Sequence, residues 1–532
     1  MTTEQLKKKI RKLFSDNEEL NGYLDTRKRD RELPYVPNYH FYAPGGYMND
    51  PCGYCYYKGV YHLFYQFMPE NGMGLVWGHA VSVDNVNWID LPASVKPTIE
   101  ASCCSGGALV EDDRVIVVYS GNLHGDDLNN CIHVLVSKDD LLLNWERTSE
   151  LPTVYTLKEN GEMNEYNAFD PCLYKDGDTY CMLTAGGGSL PHTHNLNNLD
   201  LRRHYLFTSK DLVNWEYKHV FVENDIYNVV GDDGACPYFL PIGNKHILLH
   251  FSHRQGGKYI VGDYESEGKK FYAKNGGAFN AHGWYSGVHA PSAFAENGGV
   301  TAIFNVNYGY KSGGTNQIMS LPRRLTVNND YSLNETPAVS LASLKGNKVK
   351  GELCVKANEE TVIPDVNGVS YELKVKINRT PEKIEHNFIP DNLIPMVEIR
   401  VLRSPDVREY TAIRFFRNRG AMDWNGYQLS PMHWANGSES IVEVDTSYST
   451  LSGCVAIHPT EHQSYYLGHD EDIELQIFVD KSIVEVFANG KKCISVRAYP
   501  TLPNSNTVSV VSRGVDVGVV YEATELGAIN YL

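Results

Sequence analysis

One short segment recurs three times in the first half of the chain, as "SVDNVNW" (82–88), "SKDDLLLNW" (137–145) and "SKDLVNW" (209–215). Each copy follows a run of β-branched and aromatic residues and supplies a serine, an aspartate and a closing tryptophan. That composition is typical of a turn between two strands. Because the spacing of the copies suits one four-stranded blade per repeat, we expect a β-propeller of about five blades over residues 36–345. The tryptophans are expected to pack between its strands.

The two ends of the chain have different patterns. Residues 4–24 place apolar side chains at helical spacing among charged ones, which predicts a short helical arm within residues 1–35. Near the other end, "IELQIFVDKSIVEVFANGKKCISVRAYP" (473–500) alternates apolar and polar residues around an Asn-Gly turn, a strong hairpin signal. We therefore expect an all-β chain in which residues 346–532 form a β-sandwich.

Charge and composition exclude several classes of partner. The formal net charge is −17, from 65 acidic and 48 basic residues, which argues against nucleic acid or an anionic membrane surface as a partner. No stretch approaches the ~18 apolar residues of a membrane span, and the first residues lack the apolar segment of a secretion signal. With 11 scattered cysteines, which suit reduced thiols, these features predict a cytoplasmic protein. No metal site and no other cofactor is expected, and a homo-oligomer is compatible with the sequence.

Three acidic turns precede predicted strands. They contain Asp50 in "GGYMNDPCG", Asp170 in "NAFDPCLY" and Asp233 in "GDDGACPYFLP". Taken singly, such turns are common structural features. In a propeller, however, turns ahead of inner strands converge at the central axis. Carboxylates gathered there suit glycoside cleavage, because one can attack or stabilise an oxocarbenium-like carbon while another protonates the leaving oxygen.

Six stretches, in the right order from about His40 to Pro500, resemble the landmarks of glycoside hydrolase family 32, the invertase, inulinase and levanase group. They are "HFYAPGGYMNDPCG", "FYQFMPENGMGLVWGHAVSVDNVNWIDLP", "CSGGALVEDDRVIVVYSG", "FDPCLY", "MSLPRRL" and "IFVDKSIVEVFANG". The resemblance implies a five-bladed propeller followed by a β-sandwich. It also implies retaining hydrolysis, or transfer, of β-fructofuranosyl groups without a metal ion.

The same resemblance implies roles for individual residues. Asp50 matches the nucleophile and Asp170 matches the residue that stabilises the transition state. Further positions match residues that contact the furanose or shape its pocket: Asn49, Gln66, Trp77 and Ser105. Phe169 occupies another substrate-binding position, at which the family usually has arginine. A phenyl ring cannot replace the hydrogen bonds of a guanidinium fork.

The chain also departs from the family at the proton donor. The family's acid/base is a glutamate directly before Cys-Pro, and here that residue is Ala235. Cys52 and Tyr47 replace a usual asparagine and a usual tryptophan. The resemblance therefore leaves the donor sugar and the proton donor open.

Several explanations of Ala235 remain open. In the first, the acid has moved to Asp233, because residues two apart in an extended strand project to the same face, whereas Asp232 would point away. Apolar walls and a neighbouring carboxylate would then raise the pKa of Asp233. In the second, Ala235 is an engineered replacement of a glutamate. In the third, the donor lies elsewhere, for example at Glu165 or Glu223. Asp233 is otherwise simply a cap of its turn.

Two classes of function follow. As an enzyme, the chain would cleave or transfer a terminal fructosyl or related furanosyl unit of a short oligosaccharide. As a non-catalytic sugar-binding or sensing protein, it would keep the pocket without turnover. Asp50 and Asp170 favour the enzyme, because binding alone does not require both acids. Trp284 and Tyr285 are candidates for stacking on a sugar, and His253 is expected to be structural.

Overall fold

A computed structural model describes most of the chain. The described residues are 1–70, 72–123, 130–186, 204–229, 232–282, 286–307, 317–378, 396–417, 439–468 and 471–531. Within them two helices precede a long succession of β-strands, so the expected all-β class is confirmed. In these ranges no helix is long and apolar enough to cross a membrane.

The chain begins with two helices, α1 (Thr3–Leu13) and α2 (Glu18–Asp30). The first starts at a capping box on Thr2, which satisfies backbone N–H groups at the helix end. The second is anchored by a buried ion pair, in which Arg27 Nε and Nη2 each lie 2.8 Å from an oxygen of Asp90. A bidentate pair of this kind fixes geometry, so α2 is held firmly against the domain that follows.

In the described part of the chain, residues 47–337 form five sheets. The first three sheets contain, in turn, β1 (Tyr47–Tyr57), β2 (Val60–Met68), β3 (Val76–Ser82) and β4 (Ile89–Val95); β5 (Cys103–Val110), β6 (Val115–Asn122), β7 (Asn130–Ser137), β8 (Glu146–Arg147) and β9 (Val154–Tyr155); and β10 (Cys172–Asp176), β11 (Thr179–Thr184), β12 (Tyr205–Ser209) and β13 (Glu216–Val220). The other two contain β14 (Val222–Glu223), β15 (Ala235–Ile242), β16 (Lys245–Ser252), β17 (Gly256–Glu265) and β18 (Lys270–Ala278); and β19 (Val288–Glu296), β20 (Gly299–Val306), β21 (Ile318–Met319), β22 (Arg323–Val327) and β23 (Leu333–Pro337).

The inner strands of these sheets lie side by side in a closed ring. β1 contacts β5 and β19, β10 contacts β5 and β15, and β15 contacts β19. The hydroxyl of Tyr238, on β15, ties four of them together. It accepts hydrogen bonds from the Gly53 N–H at 3.0 Å and the Ser292 hydroxyl at 2.7 Å, and it donates to the Gly106 carbonyl at 2.8 Å. We interpret the ring as the axis of the propeller and the five sheets as its blades.

The recurring segment forms a similar turn after the third strand of each of the first three sheets. The turns are built on the aspartates Asp84, Asp139 and Asp211, whose carboxylates accept hydrogen bonds from backbone N–H groups further along the turn. Trp88 is buried, and Trp145 and Trp215 pack partly buried against the cores of their sheets. The tryptophans therefore pack between strands, as the sequence predicted.

The described residues between 345 and 526 form two six-stranded sheets that share one apolar core. A 3₁₀ helix (Leu341–Leu344) leads into them. One sheet contains β24 (Lys345–Val355), β26 (Ser370–Ile377), β31 (Ile473–Asp480), β32 (Ile483–Ala488), β33 (Lys492–Arg497) and β35 (Val517–Leu526), and the other contains β25 (Glu360–Asn367), β27 (Met396–Arg403), β28 (Thr411–Phe416), β29 (Ser440–Asp445), β30 (Glu461–Tyr465) and β34 (Thr507–Ser512). This is the expected β-sandwich.

Glu485, on β32, joins the sandwich to the propeller. Its carboxylate accepts hydrogen bonds from the Leu321 N–H at 2.8 Å and from His40 Nε2 at 3.1 Å, and it contacts the Ser495 hydroxyl. His40 Nδ1 lies 2.8 Å from Asp480. Burial would lower the pKa of His40, but the hydrogen bonds with Asp480 and Glu485 raise it to about 9. A buried ionic cluster therefore links the two domains.

The domain boundaries of the chain can be proposed from these elements. The last propeller strand ends at Pro337 and the first sandwich strand begins at Lys345. We propose that the two domains meet between these residues, close to the predicted boundary after residue 345, and that α1 and α2 form the predicted arm.

Candidate active site

The residues predicted for the chemistry lie at the starts of inner strands. Asp50 is on β1, Asp170 comes two residues before β10, and Ala235 begins β15. The pairing of β1 with β2 and of β15 with β16 is interrupted by register shifts at these starts. Such bulges are common next to active sites, because they change the direction in which a side chain projects. The chain thus brings its acids to one end of the propeller axis.

The Asp50 carboxylate is held by a chain of hydrogen bonds. Its Oδ2 accepts one from the Ser105 hydroxyl at 2.6 Å, and Ser105 Oγ accepts one from Gln66 Nε2 at 2.8 Å. Gln66 Oε1 accepts from Asn49 Nδ2 at 2.8 Å. Asn49 Oδ1 accepts from Gln317 Nε2, also at 2.8 Å. The structure therefore places three predicted binding residues around Asp50 and adds Gln317, which no motif had indicated.

One thiol connects Asp50 to Asp170. Cys236 Sγ lies 3.5 Å from Asp50 Oδ2 and 3.3 Å from Asp170 Oδ2. The Cys236 N–H also donates to Asp170 Oδ2 at 3.1 Å, and the Ser120 hydroxyl donates to the other oxygen at 3.4 Å. The two carboxyl groups therefore share one small volume. The sequence did not single out Cys236, although it follows Ala235 in the same motif.

The electrostatics of this pair favour protonation of Asp170 over Asp50. Burial raises the pKa of Asp170, and the charge of Asp50 raises it further, to about 7. Burial also raises the pKa of Asp50, but the hydrogen bond from Ser105 and the charge of His253 oppose that increase. Since two neighbouring carboxylates repel each other, one of them ionises before the other.

The prediction aligned Asp233 with Ala235 in one extended strand. In the structure, Asp233 lies in the turn before β15. The strand begins at Ala235, and Gly234 has a φ of +60°, which breaks the extended backbone. A Cβ on Gly234 would lie 2.5 Å from the His204 ring, so glycine is required at this close approach. The rule that residues two apart share a face applies only to an extended strand. The predicted alignment of Asp233 with Ala235 is therefore wrong.

Asp233 instead contacts His253. Its Oδ2 meets the ring Nδ1, and its Oδ1 accepts the backbone N–H of the same residue at 3.2 Å. Burial would raise the pKa of Asp233, but the hydrogen bonds and charge of His253 lower it, so the predicted raised pKa is also wrong. Burial would lower the pKa of His253, but Asp233 raises it, with smaller contributions from Asp170 and Asp50. The charges of all three aspartates therefore act on His253, which the sequence analysis expected to be structural.

The other candidate acids have partners elsewhere. Glu223 lies on β14, at the edge of the fourth sheet opposite β15, and pairs with Lys270 at 2.5 Å. Glu165 is exposed in a loop. Asp232 is buried, with Oδ2 3.8 Å from the ammonium group of Lys258. None of these contacts reaches Asp50 or Asp170.

Apolar groups occupy the place of the carboxyl group that the resemblance led us to expect. Ala235 is fully buried in a cluster with Cys236, Phe251 and Ala290, and Phe169 packs against that cluster. Ala235 is also paired directly with Phe251 across β15 and β16. The space beside Ala235 is therefore filled by apolar groups.

Trp77, a predicted pocket residue, has no exposed face. It is fully buried on β3, and its indole N–H donates to the Cys104 carbonyl at 2.8 Å. It therefore supports the strand segment that carries Ser105, and does not present its ring to a sugar. Trp284 and Tyr285 lie outside the described residues. Among the residues that the structure describes, no group of three or more His, Cys, Asp or Glu side chains could hold a metal ion.

Two protein-family models match the chain. One, described as the glycosyl hydrolases family 32 N-terminal domain, matches residues 40–337. The other, described as the glycosyl hydrolases family 32 C terminal domain, matches residues 340–525. The first match spans the five sheets and the carboxyl cluster, and the second spans almost all of the sandwich.

Known proteins of similar sequence and structure cover nearly the whole chain. An insoluble β-fructofuranosidase isoenzyme of Arabidopsis thaliana is 26% identical, over 89% of this chain and 86% of its own length. A fructan 6-exohydrolase of Beta vulgaris is 25% identical, over 88% and 82%. The solved structure of fructan 1-exohydrolase IIa from Cichorium intybus has a TM-score of 0.76 at 21% identity and covers 94% of this chain and 98% of that chain. A structure of a variant of that enzyme contains 1-kestose. The structural similarity confirms the fold.

The predicted cytoplasmic location is wrong. Relatives from Arabidopsis thaliana and Daucus carota are insoluble isoenzymes, and one from Pisum sativum is a cell wall isozyme. Most of the cysteines in this chain are buried. Buried thiols are protected from oxidants in any compartment, and this is why the cysteine pattern was a poor guide to location.

Proposed function

Because the chain belongs to glycosyl hydrolase family 32, we propose that it removes a terminal β-fructofuranosyl unit from a short oligosaccharide, with Asp50 as the nucleophile and with retention of configuration. It is a glycoside hydrolase that acts on fructosyl units, like its β-fructofuranosidase and fructan exohydrolase relatives. The observation that carries the proposal is the contact of Asp50 and Asp170 with the same thiol, within 3.5 Å of each.

Asp50 fits the role of the attacking group. The Ser105 hydroxyl holds one of its oxygens at 2.6 Å and so fixes the orientation of the carboxylate. In the first step, an Asp50 oxygen forms a bond to the anomeric carbon while the bond from that carbon to the leaving oxygen breaks. Water then attacks the same carbon and releases Asp50. Two displacements on opposite faces leave the configuration unchanged.

Asp170 fits the role of stabilising the transition state. Positive charge develops on the sugar ring as the leaving group departs, and a carboxylate beside the ring stabilises that charge. The backbone N–H of Cys236 and the hydroxyl of Ser120 hold the Asp170 oxygens in place. A carboxyl group with a pKa near 7 also accepts a hydrogen bond from a sugar hydroxyl once it is ionised.

The substrate class follows from the same arrangement. Asn49 and Gln66 provide amide groups next to Asp50, which suit the hydroxyls of a furanose. A small oligosaccharide is also the ligand in a structural relative. If a sugar hydroxyl replaced water in the second step, the same intermediate would give fructosyl transfer. A purely sugar-binding protein is not favoured, because binding does not call for two adjacent carboxyl groups.

The test is a substrate screen with a stereochemical readout. The purified protein is incubated with sucrose, 1-kestose, inulin, levan and an aryl α-arabinofuranoside, and released sugars are measured. Active substrates are then treated in buffer with methanol, and NMR determines the anomeric configuration of the methyl fructoside. We expect release of fructose from at least one short substrate and a β product. An α product would rule out the retaining mechanism, and binding without release would support the non-catalytic class.

A further inference from the structure

We propose that the imidazole of His253, oriented by Asp233, is the acid/base of this site and replaces the carboxyl group that is absent at Ala235. The inference rests on the proposed function, because it assigns the proton donor of that reaction. Asp233 is a positioning residue in this arrangement, whereas His253 touches the substrate.

The position of His253 follows from the pairing of two strands. β15 and β16 are antiparallel, and Ala235 lies opposite Phe251. His253 follows the end of β16, so it lies beside the turn before β15, at the end of the axis where the carboxyl groups gather. Its ring packs edge-on against Phe251, with centroids 4.9 Å apart, and Phe251 is in the same cluster as Cys236. Continuous contacts thus connect the imidazole to the carboxyl pair.

Asp233 and His253 differ in how far their side chains are exposed to solvent. The Asp233 side chain is only 7% exposed, whereas the His253 side chain is 41% exposed. Asp233 holds its partner twice, through the ring Nδ1 and through the backbone N–H. Since Nδ1 faces the aspartate, Nε2 lies on the opposite edge of the ring. A substrate entering the site therefore meets the imidazole and not the Asp233 carboxylate.

The charges around the ring favour an imidazolium. The carboxylates of Asp233, Asp170 and Asp50 all raise the pKa of His253 against the effect of burial. The pKa of Asp233 is lowered in turn, so it stays ionised at neutral pH. A protonated histidine next to an ionised aspartate has the proton that the first step of glycoside cleavage requires.

The proton balance closes over the two steps. The proton on Nε2 passes to the glycosidic oxygen as the bond from that oxygen to the anomeric carbon breaks, and an Asp50 oxygen bonds to the same carbon. The leaving sugar departs as a neutral alcohol. Neutral His253 then takes a proton from water while the water oxygen bonds to the anomeric carbon and displaces Asp50. The imidazolium is thereby restored.

The first test compares two leaving groups. In the His253→Gln variant, turnover of 1-kestose should fall by ~10²- to 10⁴-fold, whereas turnover of 4-nitrophenyl β-D-fructofuranoside, whose leaving group needs little protonation, should fall by less than ~10-fold. His219→Gln is the matched control. That ring lies on β13 against the carbonyls of Val220 and Gly268, so both activities should be unchanged.

The second test separates positioning from a structural role. Asp233→Asn keeps the imidazole but removes the charge that most raises its pKa. We expect the alkaline limb of the kcat/KM profile for 1-kestose to move to lower pH, because His253 then loses its proton earlier.

Each outcome decides the proposal. If His253→Gln leaves 1-kestose turnover unchanged, or lowers both substrates equally, the acid role is overturned. A loss on 1-kestose confined to Asp233→Asn assigns the proton to the aspartate and also overturns the proposal. These results leave turnover by the unaltered protein and its dependence on Asp50 intact. If the unaltered protein releases no fructose from the aryl fructoside or from any substrate of the screen described above, the proposed function fails, and the inference fails with it.

Discussion

The backbone N–H of Cys236 donates a hydrogen bond to Asp170 Oδ2 at 3.1 Å, and both residues have a positive φ, +49° for Cys236 and +42° for Asp170. Such backbone is uncommon in residues other than glycine and stores strain. Each of the two residues also precedes a proline, which restricts its backbone further. The ring of inner strands thus holds two strained backbone positions against each other, so that a thiol and two carboxyl groups face one volume.

The Asp170 carboxyl should make the stability of the protein depend on pH. Its pKa is raised from 3.8 to about 7 by burial and by the charge of Asp50. The pKa is raised in the folded state and not in the unfolded state. The stability that the protonated carboxyl contributes is therefore complete below pH 3.8 and is lost as the pH rises through 7. Asp170→Asn cannot ionise. It should therefore gain stability over the unaltered protein at pH 8, by up to about 4 kcal/mol, and little at pH 4.

Thermal unfolding of the two proteins at pH 4, 6 and 8 checks this prediction. The difference between their unfolding midpoints should grow with pH. A constant difference would mean that lost hydrogen bonds, and not ionisation, determine the effect of the substitution.

Asp50→Asn should remove activity and leave the fold intact. An amide oxygen can still accept the hydrogen bond from Ser105, but it cannot form the covalent intermediate, so kcat should fall by ~10³-fold or more. The midpoint of thermal unfolding should change by only a few degrees, about what one altered polar contact causes. Asp113→Asn, in an exposed turn between β5 and β6, is the control and should keep full activity. Surviving turnover would remove Asp50 from the role of nucleophile.

Phe169 should limit activity on fructosides. The family resemblance leads us to expect arginine at this position, and the observed phenyl ring packs against the cluster around Ala235. Phe169→Arg should raise kcat/KM for 1-kestose by ~10- to 100-fold, the equivalent of one charged hydrogen bond to a sugar hydroxyl. Phe169→Lys, which adds the charge without the planar fork, should gain less. Equal gains would show that charge alone matters, and no gain would show that this pocket uses another contact.

Much of the fold could be predicted because it is encoded locally. The turns that end at Trp88, Trp145 and Trp215 repeat the same residue types, and they fall where the structure has turns after third strands. The positions of Asp50 and Asp170 near the starts of inner strands were also predicted from local signals, since each residue precedes a proline. Short-range turn chemistry is the kind of information that a single sequence retains.

Most of the predictions that were wrong concern features that depend on long-range pairing of strands. Nothing near Asp233 in the sequence indicates His253, because the two meet only through the antiparallel pairing of β15 and β16. The start of β15 was also misplaced, and the close approach of the His204 ring to Gly234 is likewise a long-range feature that the local sequence does not reveal. The prediction that Trp77 lines the pocket was wrong for a different reason. Every residue of β3 is buried, so there is no alternation from which to assign the face that its ring occupies.

The ionic cluster between the domains should give stability that is lost at alkaline pH. The pKa of His40 is raised to about 9, above its ordinary value of 6.5, because its hydrogen bonds with Asp480 and Glu485 outweigh burial. The stability that protonated His40 contributes is therefore complete below pH 6.5 and is lost as the pH rises through 9. Glu485→Gln removes one of the two partners. It should destabilise the protein by about 3–5 kcal/mol below pH 6.5, the usual cost of breaking a buried ionic contact, and by less above pH 9.

The midpoint of thermal unfolding, measured for both proteins from pH 6 to pH 10, checks this prediction. Glu525→Gln is the matched control, because that glutamate is exposed at the end of β35 and should show no such trend. The amide that Glu485→Gln introduces can still accept the hydrogen bond from the Leu321 N–H, which lies 2.8 Å from the native oxygen. Any loss that depends on pH must then come from the contact with His40. A loss of equal size at every pH would contradict an ionised histidine in the interface and would leave the contacts of Glu485 with Arg323 and Ser495 as the explanation.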